Sequence, residues 1–390
     1  MATQTVVASS GDLMVANAMR QAEPDVMAAY PITPQTIIVE EFDKFVAAGR
    51  VHTEYVNVES EHSAMSATIG ASAAGCRAVT ATSSQGLALM YEELPIAAGM
   101  RLPIVMANVN RTISAPINIH CDHSDVMGVR DSGWIVLFAE NAQEAYDNTV
   151  CAFRIAEHPD VMLPVLTTLD GFTTSHAYER CEMMDDETVA AFVGTYEAPF
   201  GLLTSERPIT HGSYCNGPVV MEAHRAERMA QYAAEPVIDE VFAEWSKICG
   251  RPMAKVHTYG MEDAERAVVI VGSAAGTVRH IARQRREEGE KVGVVNIRCY
   301  RPFPAAQVVD AVKGCKAVAV LDRSESYGGV NGPVATEVKA AMYDAGMTVP
   351  VRGYMYGLGG ADLTADIVRG IFAELEDPAS LPALSYKGNR

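Results

Sequence analysis

The sequence predicts an α/β protein with two doubly wound domains, each built on a parallel sheet that is covered by helices. Short apolar segments of strand length alternate with longer segments that have helical periodicity. The alternation stops between about residues 172 and 217 and resumes near residue 267, which indicates a second domain. Hydrophobic residues make up 48% of the 390 residues, a fraction typical of domains with a buried core.

The first predicted domain begins with a helix over 12–20 and a strand over 26–30. A turn with two prolines follows. We expect Thr33 to cap the next helix and Pro34 to be its first residue, because proline is favoured at that position. That helix is expected to end at Gly49. The other predicted strands of this domain are 51–58, 78–81, 103–108 and 161–169, and the other helices are 60–75, 85–98 and 142–156.

The second predicted domain follows a long helix. Segment 172–217 is expected to be irregular, and a helix over 223–249 comes after it. We place the domain boundary between about 245 and 262, so the domains are residues 1–250 and 251–390. The later predicted strands are 267–271, 292–297 and 317–321, with a charged helix between the first two.

The overall charge argues against two classes of partner. The chain has 31 Lys and Arg against 49 Asp and Glu, a formal net charge of −18. Such a surface repels nucleic-acid phosphates and anionic membranes, so we predict neither partner. No apolar stretch approaches the roughly 18 residues that span a bilayer, and the N-terminus lacks the pattern of a secretory signal. The chain is therefore expected to be cytoplasmic.

The eight cysteines are spread singly along the chain, and none is within three residues of another. Zinc sites and iron–sulfur clusters use closely spaced cysteines. We therefore expect free thiols in a reducing compartment. If the protein takes part in redox chemistry, its iron–sulfur clusters are expected on other chains.

A glycine-containing turn, GSAAGT over 272–277, follows a predicted strand and opens a helix. Backbone N–H groups in that position can bind a phosphate. The spacing fits neither the dinucleotide fingerprint nor a P-loop. A tight strand-to-helix turn is therefore favoured over a nucleotide site.

Two polar residues lie where predicted strands pass into helices. Thr33 follows the first parallel strand, at the end of the sheet where open α/β proteins bind ligands, and it either caps the helix or contacts a substrate. Glu61 opens a helix of small residues that has few charges. A carboxylate buried there needs a partner that takes or shares a proton.

Arg111 follows the strand over 103–108 in a segment with few charges. Its guanidinium fits a planar anion such as a small carboxylate substrate. An internal ion pair with Asp122 or Asp125 is the alternative. His120 and His123 lie close by, but their spacing on a loop is a weak metal pattern, and no metal ligand is predicted.

Several segments, taken in order, resemble alpha subunits of pyruvate:ferredoxin oxidoreductases, thiamine-diphosphate enzymes of the 2-oxoacid:ferredoxin oxidoreductase family. In the first domain they are YPITPQTIIVEEF, VESEHSAMSATIGASAAG, LPIVMANVNRTISAPINIHCDHSD and MLPVLTTLDGFTTSH. In the second domain they are RPFP, VLDRSESYGG and YGLGGAD. The similarity covers nearly the whole chain, and NRTISAPINI resembles the pyruvate-type branch.

The resemblance implies a thiamine-diphosphate pyrimidine-binding domain over 1–250 and a transketolase C-terminal-like domain over 251–390. It implies thiamine diphosphate as a cofactor shared with a beta subunit, which holds the diphosphate and Mg²⁺ through a GDG motif that this chain lacks. It places [4Fe-4S] clusters on partner subunits, with gamma and delta chains completing the enzyme.

The implied reaction is the oxidative decarboxylation of pyruvate with coenzyme A to acetyl-CoA and CO₂, with electrons passed to ferredoxin. In this resemblance Glu61 matches a glutamate that contacts N1′ of the cofactor's aminopyrimidine and shares a proton there. Arg111 matches the arginine that binds the substrate carboxylate, and Thr33 matches a threonine that hydrogen-bonds the substrate's oxygens. Pro31, in the same YPITP segment, is assigned to the cofactor site.

Three alternatives remain open on the sequence. The first is the same chemistry on an aryl or branched 2-oxoacid, because the sequence does not identify the residues that line the substrate pocket. His120 and Cys121 also differ from the aromatic-containing version of this segment, which leaves the details of the acyl pocket open. The second is a nicotinamide-dependent dehydrogenase, but the sequence lacks the dinucleotide-binding fingerprint that such an enzyme needs. The third is a non-catalytic assembly subunit, against which the presence of Thr33, Glu61 and Arg111 argues.

Overall fold

A computed structural model describes residues 3–203 and 206–388. The strands of the first half are β1 (Gln4–Ser9), β2 (Val26–Ala29), β3 (Glu54–Asn57), β4 (Ala78–Thr82), β5 (Val105–Asn110), β6 (Ile135–Phe138), β7 (Val165–Asp170) and β8 (Glu179–Met184). The helices of this half are α1 (Gly11–Gln21), α2 (Thr36–Ala47), α3 (Glu61–Ala74), α4 (Ser84–Leu89), α5 (Glu93–Gly99), α6 (Ser124–Val129), α7 (Ala142–Ala156) and α8 (Asp186–Val193).

The long helix α9 (Gly217–Cys249) leads into the second half. The strands there are β9 (Val256–Tyr259), β10 (Arg266–Ile270), β11 (Val292–Ile297), β12 (Cys299–Arg301), β13 (Ala317–Asp322), β14 (Val351–Tyr356) and β15 (Leu384–Lys387). The helices are α10 (Ala275–Glu287), α11 (Ala305–Val312), α12 (Pro333–Asp344) and α13 (Ala365–Glu374), and short 3-10 turns lie at Leu358–Gly360 and Pro378–Ser380. None of the helices in the described part of the chain is both long and apolar enough to cross a bilayer.

Two parallel-dominated sheets form the cores of the two halves. The first has seven strands in the order β12-β6-β7-β5-β4-β2-β3, and the second has six in the order β15-β14-β13-β10-β11-β9. Only β12 and β9, next to β6 and β11, run antiparallel to their neighbours in these sheets. Helices cover both sheets, as apolar strands buried on both faces require. The predicted α/β fold with two sheet-based domains is confirmed.

Two local predictions were wrong, and one strand that crosses between the halves was not predicted. The helix expected over 85–98 is divided into α4 and α5, because Pro95 lacks an N–H group and is tolerated only in the first turn of a helix. The segment 172–217 contains β8 and α8, since β8 pairs antiparallel with the distant β1, a partner that no local pattern reveals. Residues 299–301 cross from the second half to join the first sheet beside β6.

The two halves meet at the buried carboxylate of Asp170, the last residue of β7. His123 Nε2 lies 2.8 Å from Oδ1, and Arg323 Nη1 donates to Oδ2 at 2.8 Å. The hydroxyl and backbone N–H of Ser273 also donate to Oδ2, at 2.5 and 3.2 Å. Burial alone would raise the pKa of Asp170, but His123 and Arg323 outweigh it and hold that pKa well below its usual range.

This cluster shows what the glycine-containing turn over 272–277 binds. Its backbone N–H group at Ser273 donates to a carboxylate of the first domain. A Cβ atom on Gly272 would come within 3.1 Å of Asp170 Oδ1 and of the His123 ring, so the close approach requires glycine. The turn therefore joins the two halves. Because its N–H group at Ser273 binds a carboxylate, it is not available as the phosphate site that a nicotinamide-dependent dehydrogenase would need.

Asp170→Asn is expected to lower the free energy of unfolding by about 3–5 kcal/mol, because it leaves a buried guanidinium without its carboxylate. The folded-state pKa of Asp170 is depressed, so its contribution is complete above the unfolded pKa of about 3.9 and is lost as the pH falls below that value. Urea unfolding should show the difference from wild type narrowing as the pH falls through about 4.

The control for this variant is Asp131→Asn, which removes the exposed partner of Arg301 and should change stability little. Equal stabilities of Asp170→Asn and the wild-type chain at pH 7 would contradict the role given to Asp170.

Candidate active site at the carboxyl edge of the first sheet

The predicted site residues follow three of four neighbouring strands in the first sheet. Strands β5, β4, β2 and β3 lie side by side and parallel, so their carboxyl ends meet at one edge. Thr33 follows β2, Glu61 follows β3 and Arg111 follows β5. This is the edge where open parallel sheets bind ligands.

Glu61 is the first residue of α3 and is 8% exposed. The side chain of Ser60 caps the helix by accepting a hydrogen bond from Ser63 N at 3.2 Å. A Cβ atom on Gly86 would lie 2.8 Å from Glu61 Oε1, so a glycine is required beside this carboxylate. Within residues 3–203 and 206–388, no hydrogen bond or ion pair occupies the Glu61 carboxylate. It is a buried acid available to a ligand.

Arg111 is 9% exposed, and backbone carbonyls hold its guanidinium. Nη1 donates to Thr33 O at 2.9 Å, and Nε donates to Asn118 O at 3.1 Å. No carboxylate of the described residues pairs with it, so the predicted alternative of an ion pair with Asp122 or Asp125 was wrong. Of its five N–H donors, the second on Nη1 and the two on Nη2 are therefore free to bind a carboxylate.

Asp125 is a buried carboxylate whose hydrogen bonds join the turn after β4 to the end of β5. Its Oδ2 accepts hydrogen bonds from the turn after β4 and from the end of β5, and its Oδ1 accepts from β5 and α6. The donors are the backbone N–H groups of Ser84, Arg111 and Val126 and the side-chain amides of Asn108 and Asn110, at 2.7–3.1 Å. Burial raises the pKa of Asp125, while these hydrogen bonds act in the opposite direction.

The network that starts at Asp125 reaches the surroundings of Glu61. Ser84, which Asp125 holds, also donates through its hydroxyl to Thr112 O at 2.7 Å. Gly86, two residues later, packs against the Glu61 carboxylate. The same buried network thus positions Arg111 and the residues beside Glu61. Within the described part of the chain, no hydrogen bond or ion pair joins the Arg111 and Glu61 side chains.

The turn that carries Pro31 and Thr33 differs from its prediction. Helix α2 begins at Thr36 with Gln35 as its N-cap residue, so neither Thr33 as N-cap nor Pro34 as first helical residue was right. The physical reason is the Gln35 side chain, which accepts from Ile32 N at 3.2 Å and donates to Ala81 O at 3.0 Å. It fastens the turn to β4 before the helix begins.

Thr33 and Pro31 both lie on the exposed side of this turn. The backbone carbonyl of Thr33 touches Arg111, whereas its hydroxyl forms no hydrogen bond with any described residue. The structure thus brings Thr33 and Arg111 together. It places Pro31 and Glu61 at the same edge, where no hydrogen bond among the described residues joins them to Thr33 or Arg111. Sequence reasoning missed Gln35, whose signal is a polar residue just before the apolar start of a helix. It named Asp125 only as a possible partner of Arg111 and missed its role in the network, because Asp125 lies in the polar segment CDHSD.

The fold separates the two histidines of the weak metal pattern, His120 and His123. His120 is exposed, whereas the ligand atoms of Cys121, His123 and Asp170 lie within 4.8 Å of one another and are buried. Burial raises the pKa of the Cys121 thiol well above its ordinary value. The guanidinium of Arg323 already supplies a positive charge to Asp170, which makes a metal cation unfavourable there.

Comparisons with known proteins agree with this geometry. The family model described as "Pyruvate flavodoxin/ferredoxin oxidoreductase, thiamine diP-bdg" matches residues 17–243, and "Pyruvate:ferredoxin oxidoreductase core domain II" matches residues 264–368. The "Pyruvate synthase subunit PorA" of Thermotoga maritima is 50% identical over 368 residues, which cover 94% of each chain. The chain therefore belongs to the pyruvate:ferredoxin oxidoreductase family.

Two further proteins are similar at lower identity. The "Ketoisovalerate oxidoreductase subunit VorA" of Pyrococcus horikoshii is 40% identical over 368 residues, which cover 94% of this chain and 93% of the relative. A solved 2-oxoglutarate:ferredoxin oxidoreductase of Magnetococcus marinus matches with a TM-score of 0.74 and 22% identity. This match covers 95% of the present chain and 65% of that longer chain, and at this identity it supports the fold alone.

The residues at the edge fit the pyrimidine part of thiamine diphosphate, the cofactor that the first family description names. Glu61 offers a buried carboxylate with no protein partner in the described residues. A ring nitrogen that gains and loses a proton needs such a group within hydrogen-bond distance. Gly86 keeps the space beside the carboxylate free of a side chain.

Asp125→Asn is expected to lower the free energy of unfolding by about 1–3 kcal/mol, because the new amide NH₂ group faces N–H donors that lose their acceptor. Urea unfolding of both chains measures this loss. Asp160→Asn, which changes an exposed carboxylate, is the control and should behave as wild type. A variant at Asp125 as stable as the control would show that the network does not hold this edge together.

Proposed function

We propose that the chain is the alpha subunit of a multi-subunit pyruvate:ferredoxin oxidoreductase. The complete enzyme converts pyruvate and coenzyme A to acetyl-CoA and CO₂, and it releases two electrons and one proton, with the electrons passed to ferredoxin. The observation that carries the proposal is the Arg111 guanidinium, buried, fixed by two backbone carbonyls and unpaired with any described carboxylate. The similarity to pyruvate synthase subunits supports the choice of substrate.

In this proposal Arg111 binds the substrate carboxylate and orients the 2-oxo group. Its planar fork suits a carboxylate. Its contact with the Thr33 backbone supports the further proposal that the Thr33 hydroxyl hydrogen-bonds the substrate's oxygens. The Arg111 side chain is almost inaccessible to water, so the charge–charge attraction is stronger than it would be at the surface.

In this proposal the Glu61 carboxylate would share a proton with a ring nitrogen of the bound cofactor. Thiamine diphosphate, when bound, supplies the electron sink for the loss of CO₂ from a 2-oxoacid. The position of Glu61 at the start of α3, where the helix dipole favours negative charge, supports its service as a proton acceptor. Pro31, on the exposed turn after β2, is proposed to line the cofactor site.

The remaining components are assigned to partner chains. A beta subunit is proposed to hold the diphosphate and Mg²⁺, and gamma and delta subunits are proposed to complete the enzyme and carry the [4Fe-4S] clusters. All eight cysteines lie among the described residues and are free, which supports a reducing cytoplasm for the reaction. We further propose residues 1–250 as the pyrimidine-binding domain and 251–390 as the transketolase C-terminal-like domain, a division supported by the two family-model ranges.

A second candidate substrate is a branched 2-oxoacid, favoured by the similarity to a ketoisovalerate oxidoreductase subunit. The identity to the pyruvate synthase subunit of T. maritima is higher, 50% against 40%. The ratio of kcat/KM for pyruvate to kcat/KM for 2-ketoisovalerate, measured on the reconstituted complex, decides between the two substrates.

Glu61→Gln is expected to lower kcat of the reconstituted complex by about two to four orders of magnitude, because a neutral amide cannot take up a proton. Glu59→Gln is the matched control, since Glu59 is exposed and hydrogen-bonds Ser63 on the outside of the same helix start. Steady-state turnover and thermal melts of both variants measure the effect. Turnover by Glu61→Gln close to that of the control would remove Glu61 from the proposed role.

Arg111→Ala is expected to lower kcat/KM for pyruvate by roughly tenfold to a hundredfold through the loss of a charged hydrogen bond, with little change in melting temperature. Arg111→Lys should be partly impaired, since it keeps the charge and loses the planar fork. Affinity for thiamine diphosphate should remain as in wild type. An unchanged kcat/KM together with a large drop in melting temperature would assign Arg111 to the stability of the fold.

A further inference from the structure

The second domain reaches the loop that supports Arg111. Asn118 lies on the loop over 112–120, and its backbone carbonyl accepts the Arg111 Nε–H at 3.1 Å. The Asn118 side chain donates through Nδ2 to Gly359 O at 2.8 Å. Gly359 N donates in turn to Asp122 Oδ2 at 3.1 Å. The backbone of a single residue in the second domain is therefore hydrogen-bonded on both sides to the segment that follows Arg111.

The contact is too close for any residue except glycine. Gly359 has φ +60°, and a Cβ atom there would lie 2.7 Å from Asn118 Nδ2. A Cβ atom on the next residue, Gly360, would lie 2.4 Å from the Cβ of His120. The glycines of the YGLGGAD segment thus let the second domain's backbone lie directly on the loop.

The turn over 357–360 is itself anchored to the first domain. Arg323 donates through Nε to Gly357 O at 3.1 Å and through Nη1 to Asp170 at 2.8 Å. His123 N donates to Arg323 O at 2.7 Å. The glycine turn is therefore fixed relative to the first sheet and can serve as a rigid support.

The loop depends on this support because its middle is exposed. Residues 114–117 lie on the surface, and Ile117 is 80% exposed. A backbone hydrogen bond from Thr112 N to His120 O, at 3.0 Å, closes the base of the loop. Between these ends Asn118 is the side chain that fastens the loop to the turn over 357–360.

We propose that the turn over 357–360 is a positioning element for Arg111 and that it acts through Asn118. The second domain thereby sets the position of a substrate-binding group on the first domain. This inference rests on the proposed binding of the pyruvate carboxylate by Arg111. A displacement of about 1 Å in such a group is enough to lower turnover substantially.

The test is Asn118→Ala in the complex reconstituted with its partner subunits. The expected result is a kcat/KM for pyruvate that is roughly tenfold to a hundredfold lower, mainly through KM, with affinity for thiamine diphosphate unchanged. The Arg111→Ala, Asn118→Ala double variant should lose no more than Arg111→Ala alone, because a residue that acts through Arg111 has no effect in its absence. Hydrogen exchange of residues 112–120 should be faster in Asn118→Ala, a readout that is independent of activity.

Asn296→Ala is the matched control. Asn296 is a buried amide that also joins the two halves, by donating to Glu140 Oε2 at 3.1 Å. Among the described residues it forms no side-chain hydrogen bond with the loop over 112–120. It should leave KM and the exchange of residues 112–120 as in wild type. An equal rise in KM for Asn296→Ala would mean that general loosening between the domains causes the effect, and would overturn the proposal.

Gly359→Ala tests the same contact from the second domain and serves if Asn118→Ala does not assemble. Its methyl group must displace the Asn118 amide, so it is expected to raise KM in the same direction. A kcat/KM within twofold of wild type for both variants, while Arg111→Ala is impaired, would overturn the positioning role and leave the proposed function standing. An unimpaired Arg111→Ala would overturn the proposed function itself.

Discussion

The buried carboxylate of Asp170 is the interaction on which the arrangement of the two domains depends. It ends a central strand of the first sheet and binds Arg323 and Ser273 of the second half. A carboxylate with no exposed surface is tolerated only with such charged and hydrogen-bonding partners, so the interface has one favoured register. Because Arg323 also holds the glycine turn over 357–360, this ion pair determines where the second domain meets the loop behind Arg111.

A second buried carboxylate, Asp125, organises the site edge in a different way. Asp170 is stabilised by a guanidinium, whereas Asp125 is surrounded by neutral N–H donors. Under the role proposed for Arg111, the difference has a chemical consequence, since a second cation beside it would compete for the substrate carboxylate. Among the described residues no carboxylate forms an ion pair with the Arg111 guanidinium, so its charge is available to a ligand.

Most of the fold could be predicted from the sequence, because buried parallel strands and amphipathic helices leave local patterns. The helices α1, α3 and α7 and the strands β2, β4 and β11 lie close to their predicted positions. The pairing of β8 with β1 and the crossing of β12 into the first sheet could not be predicted, since both depend on partners that are distant in the chain.

The site could be predicted in part for the same reason. Thr33, Glu61 and Arg111 follow strands, so their residue types and their positions at strand ends already indicate a ligand site. The structure places all three at one edge of the sheet. The roles of Asp125 and Asp170 could not be predicted, because an acid in a polar segment looks the same whether it is solvated or buried. The start of α2 was misplaced because the hydrogen bonds of Gln35 to Ile32 and Ala81 outweigh the local preference for proline in the first turn.

The most direct measurement is a crystal structure of the reconstituted complex with thiamine diphosphate and pyruvate. We expect the pyruvate carboxylate at about 3 Å from Arg111 Nη2, the distance of a charged hydrogen bond, and the Glu61 carboxylate in hydrogen-bond contact with the cofactor's aminopyrimidine. Pyruvate bound away from Arg111, with the guanidinium turned to Asp122 or Asp125, would contradict the central claim that this edge forms one half of the active site.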